Sequence, residues 1–120
     1  MSDIVCYLTD FSNATKWKQL KQKTQEGEFP CPITFIEDKQ YEHSSVTNLI
    51  NIQNEEEYIT VADKRTLEDE TFVVVDVSTK ESFRCSVLHL WSPLCNLSIS
   101  NMSFEEFLES VDKDGVFIPF

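Results

Sequence analysis

Four cysteines and two histidines are the side chains of this chain that could bind a metal or act as nucleophiles. Structural zinc sites place cysteines at short spacings, and no Cys-x-x-Cys pair occurs here. His89 lies four positions after Cys85, which on a strand puts both on one face but two steps apart. No local sequence supports a nucleophilic pair of Cys31 or Cys85 with His43 or His89. We therefore expect no catalytic residue, no metal and no cofactor, and keep a small Cys/His enzyme as an alternative.

Two short acidic motifs resemble parts of cation sites. Asp112-Lys-Asp114-Gly115 is similar to the start of a calcium loop, but no glutamate follows to complete the coordination, so we expect a turn. Glu37-Asp-Lys39 follows an apolar run, as half of a metal-dependent nuclease site does. Nuclease activity would require a basic groove that this composition barely supplies, so we expect none.

Negative charge dominates the composition. The 120 residues contain 21 acids and ten bases, giving a net charge of −11 at pH 7. Solubility alone needs a net charge of only about 2–8 in a small domain. Such a field attracts basic proteins and repels nucleic acid and anionic membranes. The composition therefore predicts a basic protein as the partner, with no direct contact to nucleic acid or membrane.

The acids concentrate in residues 55–81 and again in residues 105–114, whereas residues 1–25 carry more lysines than acids. Long-range attraction would speed the encounter with a basic partner, and close carboxylate–arginine pairs would fix its orientation. Tyr58 borders the first cluster and could anchor a contact. We predict that the partner binds to the densest part of that cluster, which comprises Glu55, Glu56, Glu57, Tyr58, Asp63, Glu68, Asp69 and Glu70.

The elements that position these residues belong to one domain, by length and by a 41% apolar composition rich in aromatics. Helix 12–25, capped by Asp10 or Ser12, and helix 103–113 have amphipathic spacing. Strands are predicted at residues 4–8, 33–36, 58–62, 71–77, 83–91 and 96–100, the fifth of them central; 37–45 and 78–81 are loops, and 46–57 fits helix or strand. The fold class is α+β, a mainly antiparallel sheet of about five or six strands with two or three helices.

The predicted location is the cytoplasm. No apolar run reaches the ~20 residues that span a bilayer, and the N-terminus lacks the basic region of a signal peptide. In that compartment the cysteines at positions 6, 31, 85 and 95 stay reduced and mostly buried.

The last predicted helix begins with a capping box formed by Ser103 and Glu106. The segment Met102-Ser-Phe-Glu-Glu-Phe-Leu-Glu-Ser-Val111 resembles the closing helix of bacterial immunity proteins of the SUKH type. The resemblance implies a small α+β protein that neutralises a cognate toxin. We therefore expect an immunity protein against a basic nuclease toxin. The alternative is a phage or plasmid inhibitor of a host defence complex that imitates nucleic acid.

Overall fold

The computed structural model describes residues 3–26, 29–52 and 55–119. Within these ranges five strands form one sheet, in the spatial order β2-β1-β3-β4-β5. They are β1 (Ile4–Leu8), β2 (Ile33–Ile36), β3 (Tyr58–Ala62), β4 (Thr71–Asp76) and β5 (Ser82–Ser86). β1 pairs in parallel with β2 and β3, whereas β4 is antiparallel to β3 and β5. The α+β class and the number of strands are confirmed, but the mainly antiparallel sheet is wrong, because two of the four strand pairs are parallel.

Five α-helices accompany the sheet in the described part of the chain, more than the two or three predicted. They are α1 (Ala14–Gln25), α2 (Val46–Ile52), α3 (Lys64–Asp69), α4 (Trp91–Ser98) and α5 (Phe104–Leu108). Parallel strands need long crossover connections, and α1 and α2 supply them between β1 and β2 and between β2 and β3. The loop predicted at 37–45 contains a short 3₁₀ turn at Lys39–Tyr41, and Gln53 and Asn54 of the ambiguous segment lie outside the described residues.

α1 forms where its amphipathic spacing predicts it, but a different residue caps it. The Asn13 side chain accepts the backbone N–H of Lys16 at 3.0 Å. Asp10, one of the two expected caps, instead accepts from Ser12 at 2.9 Å. Gly27, which by its residue type predicts the end of this helix, lies outside the described residues.

The strand predicted at 83–91 is present only over its first residues, as part of β5, and the strand predicted at 96–100 is wrong. β5 ends at Ser86 and lies last in the strand order instead of at the centre, and α4 occupies Trp91–Ser98. Pro93 lies in the first turn of α4. Backbone N–H groups in the first turn have no hydrogen-bond partner within the helix, so proline is tolerated there. Leu90, Leu94 and Leu97 are buried, and their spacing of three and four residues is that of a helix face. This spacing, rather than the alternation of apolar and polar residues that suggested strands, determines the structure here.

The sheet is covered on both faces. Alternate residues of β1, β3 and β4 point to opposite sides, as the pleat requires. One side packs against α1, α3, α4 and α5, with Trp17, Leu67, Leu94 and Phe107 in its core. The other side packs against α2, where Leu49 lies in a second core cluster with buried tyrosine, isoleucine and valine side chains of the strands. The result is a three-layer arrangement in which the ends of the strands, rather than their faces, remain open to a ligand or partner.

The C-terminal segment closes the outer side of β5. The capping box of α5 is confirmed, since Ser103 N–H donates to Glu106 Oε2 at 2.8 Å and Glu106 N–H to Ser103 Oγ at 3.4 Å. The helix is shorter than predicted and ends at Leu108. Arg84 N–H then donates to the Gly115 carbonyl at 2.8 Å, and Phe117 N–H to the Arg84 carbonyl at 2.7 Å. These bonds cover the backbone of a strand that would otherwise present an open edge.

No helix in the described ranges 3–26, 29–52 and 55–119 is long and apolar enough to cross a bilayer.

Candidate functional site

The predicted binding residues lie at two opposite ends of the sheet. We call the end at which β1 and β3 begin the amino end, and the opposite one the carboxyl end. Glu55, Glu56, Glu57 and Tyr58 lie at the amino end, whereas Asp63, Glu68, Asp69 and Glu70 lie at the carboxyl end, after β3 and along α3. β3 spans about 16 Å between them, at roughly 3.3 Å per residue. The structure therefore does not bring all eight residues into one surface.

Three of the acids at the carboxyl end have structural partners, and the first two of these, Asp63 and Asp69, border α3. Asp63 accepts the Thr66 N–H at the start of α3 and pairs with Arg84. Asp69 Oδ2 lies 2.7 Å from Arg65 Nε, one turn earlier on the same helix. Hydrogen bonds and the Arg65 charge hold the pKa of Asp69 below its ordinary value, although burial opposes them. These carboxylates stabilise α3 and its packing on the sheet.

Glu70 joins α1 to the turn that follows α3. Its carboxylate lies 2.6 Å from Lys16 Nζ and 2.9 Å from Lys23 Nζ. Hydrogen bonds from these two lysines hold the pKa of Glu70 below its ordinary value. Glu68, in contrast, is exposed on α3. Two lysines of the basic N-terminal region are thus neutralised within the molecule.

We expect Glu70→Gln to lower the free energy of unfolding by about 1 kcal/mol at neutral pH. Because the folded-state pKa of Glu70 is lowered, its stabilisation is present above the unfolded-state pKa and is lost as the pH falls through the folded-state value. Urea denaturation should therefore show a difference in the free energy of unfolding between wild type and variant at pH 7, and this difference should disappear on acidification. Glu68→Gln is the matched control and should leave the free energy unchanged. A gap that persists in strong acid would contradict this role.

At the amino end, carboxylates from five separate segments surround Tyr58. One cleft, of about 230 Å³, is lined by Asp3, Ile4, Glu56, Glu57, Tyr58, Leu97 and Ser98. A second, of about 460 Å³, is lined by Tyr58, Asp76, Thr79, Glu81, Ser103, Phe104 and Glu105. Among the described residues, neither lining contains a lysine or arginine. Lys80 lies in the same turn as Glu81 but outside both clefts. We call Asp3, Glu56, Glu57, Asp76, Glu81 and Glu105, together with Tyr58, the acidic surface.

The strand pairing explains this assembly. Asp3 precedes β1, and Glu56 and Glu57 precede β3, which is parallel to β1. Asp76 ends the antiparallel β4 and pairs in register with Tyr58. Glu81 and Glu105 come from the starts of β5 and α5. Asp3, Asp76, Glu81 and Glu105 were absent from the predicted set, because only the sheet register reveals that they are neighbours.

Within the described ranges, the carboxylates of the acidic surface have no cationic partner. Five ion pairs connect residues of the described ranges, and none includes a carboxylate of this surface. Asp76 alone of the six is buried, and it accepts the Ser78 N–H at 3.0 Å. The others are exposed or half-buried. An incoming cation could therefore pair with the exposed carboxylates without breaking an ion pair between described residues.

Tyr58 supplies an aromatic ring within this negative field. It stacks on Phe104 with ring centroids 5.9 Å apart and an interplanar angle of 12°. Burial, reinforced by the charges of Glu57 and Asp76, raises the pKa of the Tyr58 hydroxyl. The hydroxyl thus stays protonated. Carboxylates beside a half-buried aromatic ring suit a lysine or arginine side chain, which can pair with the acids and pack on the ring.

The cysteines do not have the properties of nucleophiles. All four are unpaired, and Cys6, Cys31 and Cys85 are buried while Cys95 is partly buried. Burial raises the pKa of Cys6 and of Cys31 to about 12, and it raises that of Cys85 as well. At neutral pH these thiols are protonated, and the thiolate is the reactive form. Among the residues that the structure describes, no group of three or more His, Cys, Asp or Glu side chains is arranged to hold a metal ion.

The remaining candidates of the sequence have packing roles. Glu37 accepts the Trp17 indole N–H at 2.7 Å and lies 2.9 Å from Lys21 Nζ, so it joins α1 to the end of β2. Trp17 is buried. Trp91, for which the predicted strand implied a core position, is 36% exposed and stacks on Phe29 at 4.7 Å. Its exposure follows from its place at the start of α4.

The turn predicted at Asp112-Lys-Asp114-Gly115 is present. Asp112 Oδ1 accepts the backbone N–H of Asp114 at 2.8 Å and that of Val116 at 3.1 Å. The carboxylate therefore stabilises the turn that leads the chain back beside β5.

The fold and this site define an α+β domain with a mixed sheet and an acidic end. The chain belongs to the family described as "Domain of unknown function (DUF6924)", which matches residues 3–120. No curated protein sequence matches it significantly.

Solved structures share the fold. Prolyl-tRNA synthetase from Cryptosporidium parvum, complexed with L-proline and AMP, matches with a TM-score of 0.61 at 12% identity over 92% of this chain. The same synthetase complexed with halofuginone and AMPPNP gives the same values. This chain spans about a quarter of the synthetase, 26% and 25% of the two chains. At this identity the likeness concerns the fold alone.

Proposed function

We propose that the protein binds a basic protein through the acidic surface and thereby neutralises it, acting in the cytoplasm as an immunity protein against a nuclease toxin. The observation that carries the proposal is that six acidic residues line two clefts that share Tyr58, with no lysine or arginine among the described residues of either lining. With a net charge of −11, the whole molecule adds a long-range attraction to this local site.

A nuclease offers a suitable counterpart. Its substrate cleft must be cationic, because it binds the phosphates of nucleic acid. A surface of closely spaced carboxylates can occupy such a cleft and exclude the substrate. Glu105 of this surface lies on α5, within the segment Met102–Val111 that resembles SUKH-type immunity proteins, and that resemblance remains a prediction.

Co-expression tests the proposal directly. The basic protein encoded next to this gene should be toxic when expressed alone, tolerated when this protein is co-expressed, and recovered with it as a complex. The affinity should fall steeply as the salt concentration rises. Protection with no complex, or a complex indifferent to salt, would contradict neutralisation through the acidic surface. Inhibition of a host nuclease complex, in the absence of a neighbouring toxin, would support the alternative of a nucleic-acid mimic.

A further inference from the structure

A second cleft lies at the carboxyl end of the sheet, opposite the acidic surface. β1 lies between β2 and β3. The chain passes from β1 to β2 on one side and then returns across the sheet to β3 on the other side, so the connections on the two sides of β1 run in opposite directions. In open sheets that contain parallel strands, small ligands bind beyond the carboxyl ends of the strands at such a reversal point. The cleft here has a volume of about 450 Å³, within the range of about 300–1,000 Å³ that small-molecule sites occupy.

The cleft is built from three segments that follow β1, β2 and β3. Its lining consists of Thr9, Asp10, Ser12, His43, Ser44, Asp63 and Lys64. His43 has a φ of +62°, a conformation that non-glycine residues adopt infrequently. Its N–H donates to the Thr9 carbonyl at 2.7 Å, which ties the loop after β2 to the end of β1. The strained residue is thereby held at the rim of the cleft.

The charges that line this cleft are only partly matched. Asp63 is paired with Arg84. Asp10 is more than nine-tenths buried, and its Oδ1 accepts the N–H and the hydroxyl of Ser12 at 2.9 and 2.5 Å. Lys64 is exposed and belongs to none of the ion pairs between described residues. An aspartate with little exposed area therefore lines the same small cleft as Lys64 and His43.

We propose that this cleft binds a small phosphate ester with free hydroxyl groups, of the size of a sugar phosphate or a mononucleotide. The phosphate contacts Lys64 and His43, and a hydroxyl group of the ligand donates to the Asp10 carboxylate. Lysine binds phosphate as a point charge, and a carboxylate accepts hydroxyl donors. A ligand with an anionic group alone would leave Asp10 unused and would meet its repulsion. The proposal is independent of the acidic surface, from which the length of β3 separates it.

Titration of the full-length, isotope-labelled protein by NMR tests this site. Ribose 5-phosphate and AMP should bind saturably, with shifts confined to Thr9, the residues around His43 and the start of α3. Inorganic phosphate and ribose, titrated separately, should each bind more weakly. Lys64→Ala should weaken the binding of ribose 5-phosphate about tenfold or more, the value of a lost charge-assisted contact. Lys18→Ala removes an exposed lysine from α1 and is the matched control, which should bind as wild type does.

Three results would overturn the proposal. One is the absence of saturable binding of either phosphate ester. Another is equal weakening by Lys64→Ala and Lys18→Ala, which would indicate a general loss of positive charge. The third is tighter binding of free amino acids, which would assign the cleft to an ammonium ligand. His43→Asn, which tolerates the positive φ, tests the second phosphate contact and should also weaken the binding of ribose 5-phosphate.

Discussion

Replacement of Glu56, Glu57, Glu81 and Glu105 together by lysine is expected to abolish binding of the basic partner. Each substitution removes an attractive carboxylate and places a cation against a cationic surface, and such like-charge contacts cost several kcal/mol in total. The dissociation constant should rise about a thousandfold or more. Surface plasmon resonance or calorimetry with the purified partner gives this value. The four side chains belong to none of the ion pairs described above, so the fold should survive, as circular dichroism can verify.

A second quadruple variant separates the local contacts from the overall field. Glu26, Glu42, Glu68 and Glu109 lie outside both clefts of the acidic surface, and their replacement by lysine gives the same net charge. This control should slow association, because long-range attraction falls, but it should leave the dissociation rate near that of wild type. Equal losses in both variants would show that only total charge matters and that the acidic surface is not the binding site.

Most elements of the first three-quarters of the chain could be predicted because their signals are local. The β-branched and aromatic runs identify β1 to β4 within a residue or two, and the spacing of Trp17, Leu20 and Thr24 identifies α1. α3 was missed because it has only six residues. Its capping box pairs Asp63 with Thr66 instead of a glutamate, a signal that could have revealed the helix.

The direction of the strands could not be predicted in the same way. Whether two strands pair in parallel depends on what crosses between them, and the crossover helix α2 lies in the segment whose pattern fits helix or strand. Residues 83–98 show how local alternation misleads, since the buried Leu90, Leu94 and Leu97 also fit a helix. The sequence of this segment fits the strand period of two and the helix period of 3.6 almost equally well, and tertiary packing determines which of them is adopted.

The candidate site was predictable only in part, for a geometric reason. Proximity along the chain suggested one surface across residues 55–70, but a strand runs through that segment and carries its two halves to opposite ends of the sheet. Glu56, Glu57 and Tyr58 belong both to the predicted set and to the acidic surface. Their neighbours Asp3 and Asp76 are more than fifteen residues away along the chain and join them only through pairing with β1 and β4.

The largest expected effect on stability comes from α5, because this short helix is held by aromatic packing. Phe107 is fully buried. Its ring lies 5.8 Å from that of Phe83 in a stacked arrangement and 5.4 Å from that of Phe117 in an edge-on arrangement. A helix of five residues is not stable without such tertiary contacts. Phe107→Ala should lower the free energy of unfolding by about 3–5 kcal/mol, the usual cost of this truncation in a core.

Urea denaturation followed by fluorescence measures this loss, with Phe29→Ala as the control of equal size. Phe29 is 52% exposed, so its truncation should cost far less than that of Phe107. The same experiment bears on the acidic surface, since α5 carries Glu105 and the Phe104 ring on which Tyr58 stacks. Phe107→Leu, which keeps most of the apolar volume, should restore both stability and partner binding. If Phe107→Ala were no more costly than Phe29→Ala, α5 would not be docked on β5, and the cleft that it shares with Tyr58 would not exist.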